Sequence, residues 1–467
     1  MSAQKLDEKL PLDTSVRMGK LANGLTYIIR HNKTPENKVE MRLVENAGSI
    51  LEDDNQQGLA HLTEHMAFNG TTHFAKNELV DFLQKMGVQF GADLNAYTGF
   101  DETVYILPIP LSDTANLRKG LSVLKDWASG LTFDPTQISG ERPVVLEESR
   151  LGKGAEDRMF RKLYPVEYEG SRYAQRLPIG VDSIVRSTPD SNLIRFYKTW
   201  YRPDLQAVII VGDIDVNKTE QLVKEYFGGL KNPAIEKERF YASVPPRQVS
   251  RALVVTDKEA TNYIVQVQYP VRKEKEEVTL RDYRDVIIKN IFTSLLNQRL
   301  ADLSHGSQPP FLYAATGYGG EARNYESFNV FAVAGAQGPD TALTAMMTEV
   351  ERAKEYGFTE TEMERAKKDQ MAAMNQAYNN KAKTESGQLA AEYIRLFLTA
   401  EPSPGIVAEY NYYKQLMPGI LLKEVNSMTD SLKSNENIFV SLQGPANGNS
   451  KLPDSTQLLA LAKTILN

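Results

Sequence analysis

The chain has 467 residues, of which 41% are hydrophobic and 24% charged, as in soluble globular proteins, and its formal net charge is −6. This length predicts about two to four domains, and the mildly acidic balance lacks the basic footprint of a nucleic-acid-binding protein. Cysteine is absent, which excludes disulfides, thiolate metal ligands, iron–sulfur clusters and cysteine nucleophiles.

The sequence predicts neither a leader nor a membrane span. The first residues, MSAQKLDEKLPLDTS, lack the apolar segment of a signal peptide. No run of about 18 apolar residues occurs anywhere in the chain. We therefore expect either a cytoplasmic protein or one whose leader has been removed.

The first half of the chain alternates strand and helix signals. Asn23-Gly24 predicts a hairpin within Leu21–Arg30, and Val39–Asn46 alternates as a strand does. Leu59–Phe68 has helical periodicity. Further predicted elements are a helix from Asn77 to Met86, strands at Leu94–Tyr97 and Thr103–Ile109, helices over Asp113–Ala128 and after Pro135, and a buried strand at Ala207–Gly212.

A linker is predicted near the middle of the chain, because Lys231–Ser250 is polar and contains three prolines. Beyond it we expect strands at Ala252–Thr256, Tyr263–Tyr269 and Phe328–Gly335, a helix from Thr279 to Leu303, and a polar helical stretch over Thr359–Thr399. This order repeats that of the first half. The predicted fold class is therefore α+β, with two similar domains at 1–235 and 245–467, each an antiparallel-rich sheet packed with helices.

Two of the five histidines lie in the segment GLAHLTEHMAFNG. His61 and His65 are four residues apart, so a helix presents them on one face, where they can share one tetrahedral ion. Glu64 lies between them and can take a proton from a water molecule beside the ion, in the inverted order H-x-x-E-H. The alternative is a pair of solvated or core histidines. The apolar neighbours Leu62 and Met66 favour the partial burial that a ligand pair needs.

A catalytic zinc site needs a third protein ligand and an open position. His73 follows a turn and is expected at the surface. Glu141 and Glu148, in ISGERPVVLEESRLG, are seven residues apart and share a helical face, whereas Glu147 points about 100° away from Glu148. Helix geometry leaves the choice between Glu141 and Glu148 open. It also requires the helix to restart near Glu141 and Pro143, because an interior proline breaks a helix.

Four segments, GLAHLTEHMAFNGT, LNAYTGFDETVY, ERPVVLEE and FYKTWYRPD, resemble the pitrilysin family of zinc peptidases, which includes insulin-degrading enzyme and the mitochondrial processing peptidase. The resemblance covers most of residues 15–230 by motif order and is strongest to a bacterial branch of long zinc proteases. It implies one Zn²⁺ per chain, held by His61, His65 and Glu148, with Glu64 as general base. Glu141 would support the site without binding the metal. The bacterial branch also implies a location in the cell envelope.

The same resemblance implies a peptide substrate. LNAYT matches the edge strand on which the family binds its substrate, so an extended peptide would pair with Asn95, Ala96 and Tyr97 as an added β-strand across the zinc. Asn95 and Ala96 would donate and accept the backbone hydrogen bonds. An ordinary meander strand is the alternative interpretation.

Family members are built from two similar halves, and the metal-free half contributes an arginine and a tyrosine separated by six residues. In this chain Gly306 and Phe311 stand seven residues before Tyr313 and Tyr318, so the pair is missing. We therefore expect a second similar half, supplied by a longer polypeptide, a separate subunit or a second copy.

Three functions compete at this stage. The first is a zinc-dependent endopeptidase that hydrolyses peptides or unfolded segments. The second is a non-catalytic peptide-binding or partner subunit on the same scaffold. The third is the facial triad of a non-haem Fe(II) oxygenase, which also uses two histidines and a carboxylate. A shared helix with a base between the two histidines disfavours the third.

Overall fold

A computed structural model describes residues 6–76, 78–85, 87–88, 95–113, 115–432, 437–446 and 452–466. Asn77, Met86 and Leu94, which the sequence assigns to a helix and a strand, lie outside these ranges. Two sheets organise the described chain. None of the described helices is long and apolar enough to cross a bilayer.

The first sheet has six strands in the order β1-β2-β6-β3-β5-β4. They are β1 (Val16–Lys20), β2 (Thr26–His31), β3 (Lys38–Glu45), β4 (Asn95–Thr98), β5 (Thr103–Pro110) and β6 (Gln206–Gly212). Strands β2 and β6 run parallel, and the other neighbours are antiparallel. Among the described strands β4 pairs with β5 alone, so one of its edges is free.

The second sheet follows the order β10-β11-β8-β12-β7, with β9 attached to β11. Its strands are β7 (Arg251–Asp257), β8 (Ile264–Gln268), β9 (Arg272–Lys273), β10 (Phe311–Gly319), β11 (Tyr325–Ala334) and β12 (Phe439–Pro445). The order β7, β12, β8, β11, β10 repeats β2, β6, β3, β5, β4, and in both sheets the first two of these five are parallel. This internal repeat confirms the predicted α+β class with two similar units.

Helices pack on both sheets. Those of the first half are α1 (Leu59–Met66), α2 (Glu78–Lys85), α3 (Asn116–Ser129), α4 (Pro135–Gly152), α5 (Ala155–Glu167), α6 (Asp182–Ser187), α7 (Asp190–Trp200) and α8 (Val216–Phe227). Those of the second half are α9 (Leu280–Ser304), α10 (Pro339–Tyr356), α11 (Glu360–Asn379), α12 (Ser386–Thr399), α13 (Ile406–Leu416), α14 (Leu422–Asn426) and α15 (Ser455–Leu466).

The largest core lies between one face of the first sheet and its helices. Leu43 of β3, Leu62 of α1 and Trp127 of α3 are completely buried there. Leu59, Leu62 and Met66 form a buried apolar stripe on the side of α1 away from His61 and Glu64, and its burial fixes the rotation of the helix. A second core, which includes Phe292 of α9 and Met346 of α10, lies against the second sheet.

Each sheet also carries a helix from the other half of the chain. Helix α12 packs Leu389 and Tyr393 on the outer face of the first sheet, against Ile209 of β6. In return, α5 packs Leu163 on the second sheet, beside Val255 of β7. The apolar outer face of each sheet is therefore covered by a segment that is distant in sequence.

The segment between the two sheets, residues 231–250, contains no helix or strand. It is nevertheless ordered against the first half, since Arg239 donates to the buried Asp101 carboxylate at 2.9 Å. We propose that the boundary between the two domains lies in this segment, at 235–245, as the sequence predicts.

Two predicted features differ in the structure. The helical stretch over Thr359–Thr399 is broken after Asn379, because the chain must leave α11 to place α12 on the first sheet. The helix around Pro143 does not restart there: α4 begins at Pro135, capped by Asp134, and continues through Pro143 to Gly152. The proline removes one backbone hydrogen bond without ending the helix. Strands β1, β9, β10 and β12 were not predicted.

Candidate metal centre

The helix that carries the histidine motif begins at a capped turn. Gly58 precedes α1 with φ +97°, and a Cβ atom there would lie 2.6 Å from Val185. The buried Glu52 carboxylate accepts hydrogen bonds from the backbone N–H groups of Gly58 and Ala60, at 3.0 and 2.8 Å. It thus satisfies donors that have no partner within the helix. Burial raises the pKa of Glu52 to about 8, although these bonds oppose the shift.

The imidazoles of α1 converge on one carboxylate of α4. Nε2 of His61 lies 3.6 Å from Glu148 Oε1, and Nε2 of His65 lies 3.3 Å from Glu148 Oε2. One ligand atom from each of the three residues lies within 4.8 Å of the others. The rings of the two histidines are nearly perpendicular, at 89°, with centroids 4.7 Å apart.

These spacings fit a zinc ion. Two ligands bound at about 2.0–2.1 Å with a tetrahedral angle lie roughly 3.4 Å from each other. The two nitrogen–oxygen distances are close to that value and longer than most charge-assisted hydrogen bonds. Two imidazoles and a carboxylate are also a donor set found in catalytic zinc sites. The Glu148 side chain is 53% exposed, so one side of the cluster is open to solvent.

Glu141 contacts the opposite side of one histidine. Its Oε1 lies 2.8 Å from His65 Nδ1, while Nε2 of the same ring faces Glu148. A carboxylate on the far nitrogen orients a metal-binding imidazole and fixes its tautomer. Burial raises the pKa of Glu141, but the hydrogen bond with His65 and its charge outweigh burial and lower the pKa overall. Burial lowers the pKa of His65, but its carboxylate neighbours raise it overall.

His61 is held in its neutral form. Burial, assisted by repulsion from His65, lowers its pKa to about 4. A neutral imidazole has a lone pair that can bind a metal. Nδ1 of His61 is buried and makes no hydrogen bond with any described residue, which leaves Nε2 as the nitrogen directed at Glu148.

Glu64 is largely buried on α1, at 7% exposure, and is bonded to the first sheet. The hydroxyl of Thr98, at the end of β4, donates to Glu64 Oε2 at 2.6 Å. Burial raises the pKa of Glu64, while this hydrogen bond lowers it, and the net shift is upward. The sequence analysis did not single out Thr98. The alternation of side chains along β4 could have indicated it, because Thr98 lies on the same face of the strand as Ala96, a predicted substrate-binding residue.

The three predicted substrate-binding residues, Asn95, Ala96 and Tyr97, precede Thr98 in β4. Among the described strands β4 pairs with β5 alone, which leaves its other edge free. Gly99 N–H donates to Glu102 C=O, so these two residues form a hydrogen-bonded pair. In an antiparallel ladder such pairs alternate with pairs that share no hydrogen bond, and Ala96 and Thr98 belong to the second kind. The backbone groups of Ala96 and Thr98 therefore point to the free edge. Asn95 directs its backbone toward β5, and its side-chain Oδ1 accepts from Ala96 N–H at 2.9 Å. The Tyr97 ring is exposed.

Predicted residues outside the cluster are also resolved. His73 is exposed, as expected, and its Nδ1 lies 2.7 Å from the buried Asp126 carboxylate. Glu147 is exposed and pairs with Arg150 on the same helix, at 2.6 Å. Tyr313 is exposed on β10, whereas the Tyr318 ring packs against Phe328 in the second sheet. None of these side chains lies in the cluster of His61, His65 and Glu148.

The two repeated α+β units and the inverted H-x-x-E-H motif beside a distant glutamate agree with two family patterns. The sequence pattern described as Insulinase (Peptidase family M16) matches residues 27–177, and that described as Peptidase M16 inactive domain matches residues 191–369. Together these matches cover most of the chain. The chain belongs to peptidase family M16.

Its relatives include named zinc proteases. Zinc protease PQQL-like of Arabidopsis thaliana is 32% identical over 419 residues, which are 89% of this chain and 41% of that protein. Probable zinc protease PqqL of Haemophilus influenzae is 37% identical over 296 residues, which are 63% of this chain and 32% of that protein. The chain spans less than half the length of these curated relatives.

Solved structures show the same fold. The crystal structure of the first half of the periplasmic protease PqqL from Escherichia coli superposes with a TM-score of 0.91 at 26% identity, and the match covers 98% of each chain. In the structure of the whole E. coli protease the match has a TM-score of 0.90 and covers 51% of that chain.

Proposed function

We propose that this chain is the zinc-bearing part of an endopeptidase that hydrolyses peptides or unfolded polypeptide segments. The observation that supports this most directly is that His61, His65 and Glu148 each place one potential ligand atom within 4.8 Å of the other two. The carboxylate of Glu64 lies on the same helix turn. The relatives named as zinc proteases support the same activity.

In this proposal His61, His65 and Glu148 hold one Zn²⁺, and Glu141 keeps His65 oriented for it. When bound, the ion would supply a Lewis acid and lower the pKa of a nearby water molecule. The facial triad of an Fe(II) oxygenase is disfavoured by the family to which the chain belongs.

Glu64 moves the proton. Its carboxylate accepts a proton from water while the water oxygen bonds to the scissile carbonyl carbon, and it then returns that proton to the leaving nitrogen as the C–N bond breaks. The products are a carboxylic acid and an amine, and Glu64 is regenerated. The hydrogen bond from Thr98 occupies Oε2, which leaves Oε1 available for this transfer.

The substrate would bind as a strand on β4. An extended peptide can exchange backbone hydrogen bonds with Ala96 and Thr98 at the free edge, with the Asn95 side chain beside them. To bind, the peptide must displace Asn95 Oδ1 from Ala96 N–H. Folded segments cannot present an extended backbone, so peptides and unfolded chains are the expected substrates.

A second half would complete the active site. The whole E. coli protease is about twice as long as the matched region, since the chain covers 51% of it. Without a second half, this chain would be a peptide-binding subunit with little turnover, which is the alternative function. We propose the same envelope location as the relative described as periplasmic, which fractionation of cells would test.

The test is Glu64→Gln, with Glu147→Gln as a matched control on the exposed face of α4. We expect Glu64→Gln to retain about one zinc per chain while cleavage of a quenched peptide falls by about 10²–10⁴-fold. Glu147→Gln should behave as the wild type in both assays. Cleavage by Glu64→Gln at the wild-type rate would contradict the proposed mechanism. Zinc and peptide binding without cleavage by the wild type, in every assembly, would favour the non-catalytic alternative.

A further inference from the structure

Thr98 connects two parts of the candidate site that lie on different elements. Its backbone N–H and C=O point to the free edge of β4, where an added strand would pair. Its side chain projects from a face of the sheet, and the hydroxyl donates to Glu64 Oε2 at 2.6 Å. The same residue therefore contacts the proposed peptide path and the proposed general base.

The geometry restricts the carboxylate. A β-branched side chain in a strand has few available χ1 rotamers, so the position of the Thr98 hydroxyl is set by β4. Glu64 is buried, and Oε1 makes no hydrogen bond with any described residue, so the bond to Thr98 defines which oxygen stays available. A glutamate without this partner could rotate about its terminal bond, which has a broad torsional profile.

We propose that Thr98 is a positioning residue, whose hydroxyl orients Glu64 while its backbone receives the substrate strand. This inference rests on the proposed peptidase function. It adds that base orientation and substrate register are set by one residue. A shift of β4 along its partner would then disturb both at once.

A purely structural role of Thr98 would predict a different effect of its substitution on stability and turnover. The Thr98 hydroxyl could simply satisfy a buried carboxylate, and its loss would then lower stability without changing turnover. Thr103, the cross-strand neighbour of Thr98 on β5, offers the matched comparison. Its buried hydroxyl donates to the Ala47 carbonyl at 2.9 Å, which is a backbone contact within the fold.

The experiment compares Thr98→Val, Thr98→Ser and Thr103→Val in the assembly that cleaves a quenched peptide. For Thr98→Val we expect kcat to fall about 10- to 100-fold, the effect of losing a hydrogen bond to a charged group, with KM within about twofold because the backbone contacts remain. Thr98→Ser should restore most of the rate. Thr103→Val should lower the melting temperature and leave kcat unchanged.

Two measurements do not depend on turnover. Zinc content should stay at about one per chain in all three variants, since none of the changed side chains is a proposed ligand. A crystal structure of Thr98→Val should show the Glu64 carboxylate rotated or in more than one conformer. Wild-type kcat in Thr98→Val, equal impairment of the Ser and Val variants, or an unmoved Glu64 would each overturn the inference. Absence of cleavage by the wild type would count against the peptidase function, while the Glu64 conformation would still decide the role of Thr98.

Discussion

Replacing Glu141 tests the division of roles between the two glutamates of α4. Glu141 lies 2.8 Å from His65 Nδ1 and has a side chain that is 12% exposed, whereas Glu148 faces Nε2 of both histidines. A partner on the far side of a metal-binding imidazole typically contributes 10–100-fold to metal affinity, which is about 1.4–2.8 kcal/mol. Gln keeps an oxygen that can accept from Nδ1–H but loses the charge. Glu141→Gln should therefore weaken zinc binding by about tenfold, and Glu141→Ala by up to about 100-fold.

Competition with a chromophoric chelator measures these affinities directly. The zinc-dependent rise in melting temperature gives an independent value, because a ligand that binds the folded state alone stabilises it by an amount that rises with the logarithm of its affinity. Glu148→Gln, which removes a proposed ligand, should lose more affinity than either Glu141 variant, and Glu147→Gln should lose none. If Glu141→Gln bound zinc as weakly as Glu148→Gln, Glu141 would be a ligand. Wild-type affinity in Glu141→Ala would refute its supporting role.

Three further predictions concern the helix that carries the histidines. Because burial raises the pKa of Glu52 from 4.5 to about 8, folded protein binds more protons than unfolded protein between these values, and stability falls as pH rises through this window. Denaturant unfolding of metal-free Glu52→Gln should therefore show a smaller loss between pH 5 and pH 8, and an unchanged slope would contradict this. Gly58→Ala should destabilise the fold by about 1–3 kcal/mol, since its φ is +97° and Val185 fills the space; an unchanged melting temperature would argue against strain there. Leu62→Ala should cost about 2–5 kcal/mol in chemical denaturation, because Leu62 is completely buried, and a loss below 1 kcal/mol would mean that the core closes around the cavity.

Local patterns predicted much of the fold. The period of the apolar residues located α1 with its histidines on one face, and turn signals located β2, β3 and β5 within a residue or two. These features depend on neighbours a few positions away, which a single sequence displays. The repeated order of elements also indicated two similar units, and the two sheets confirm it.

Features that depend on contacts between distant residues could not be predicted from local sequence patterns. The buried Glu52 carboxylate caps α1 from outside the helix, and the Thr98 hydroxyl reaches Glu64 only after β4 is placed beside α1. Pro143 indicated a helix end, but packing of α4 against its neighbours outweighs one missing hydrogen bond. The roles assigned to Glu141 and Glu148 came from family resemblance, since spacing alone could not separate them.

The exchange of helices between the sheets limits how this polypeptide can be divided. A fragment that ends near residue 235 would lose α12 and expose Ile28, Ile209 and Val211 to water, while the complementary fragment would lose α5. Bare apolar sheet faces promote aggregation. Separate expression of either piece should therefore give insoluble material, and denaturation of the intact chain should be a single cooperative event despite its two sheets.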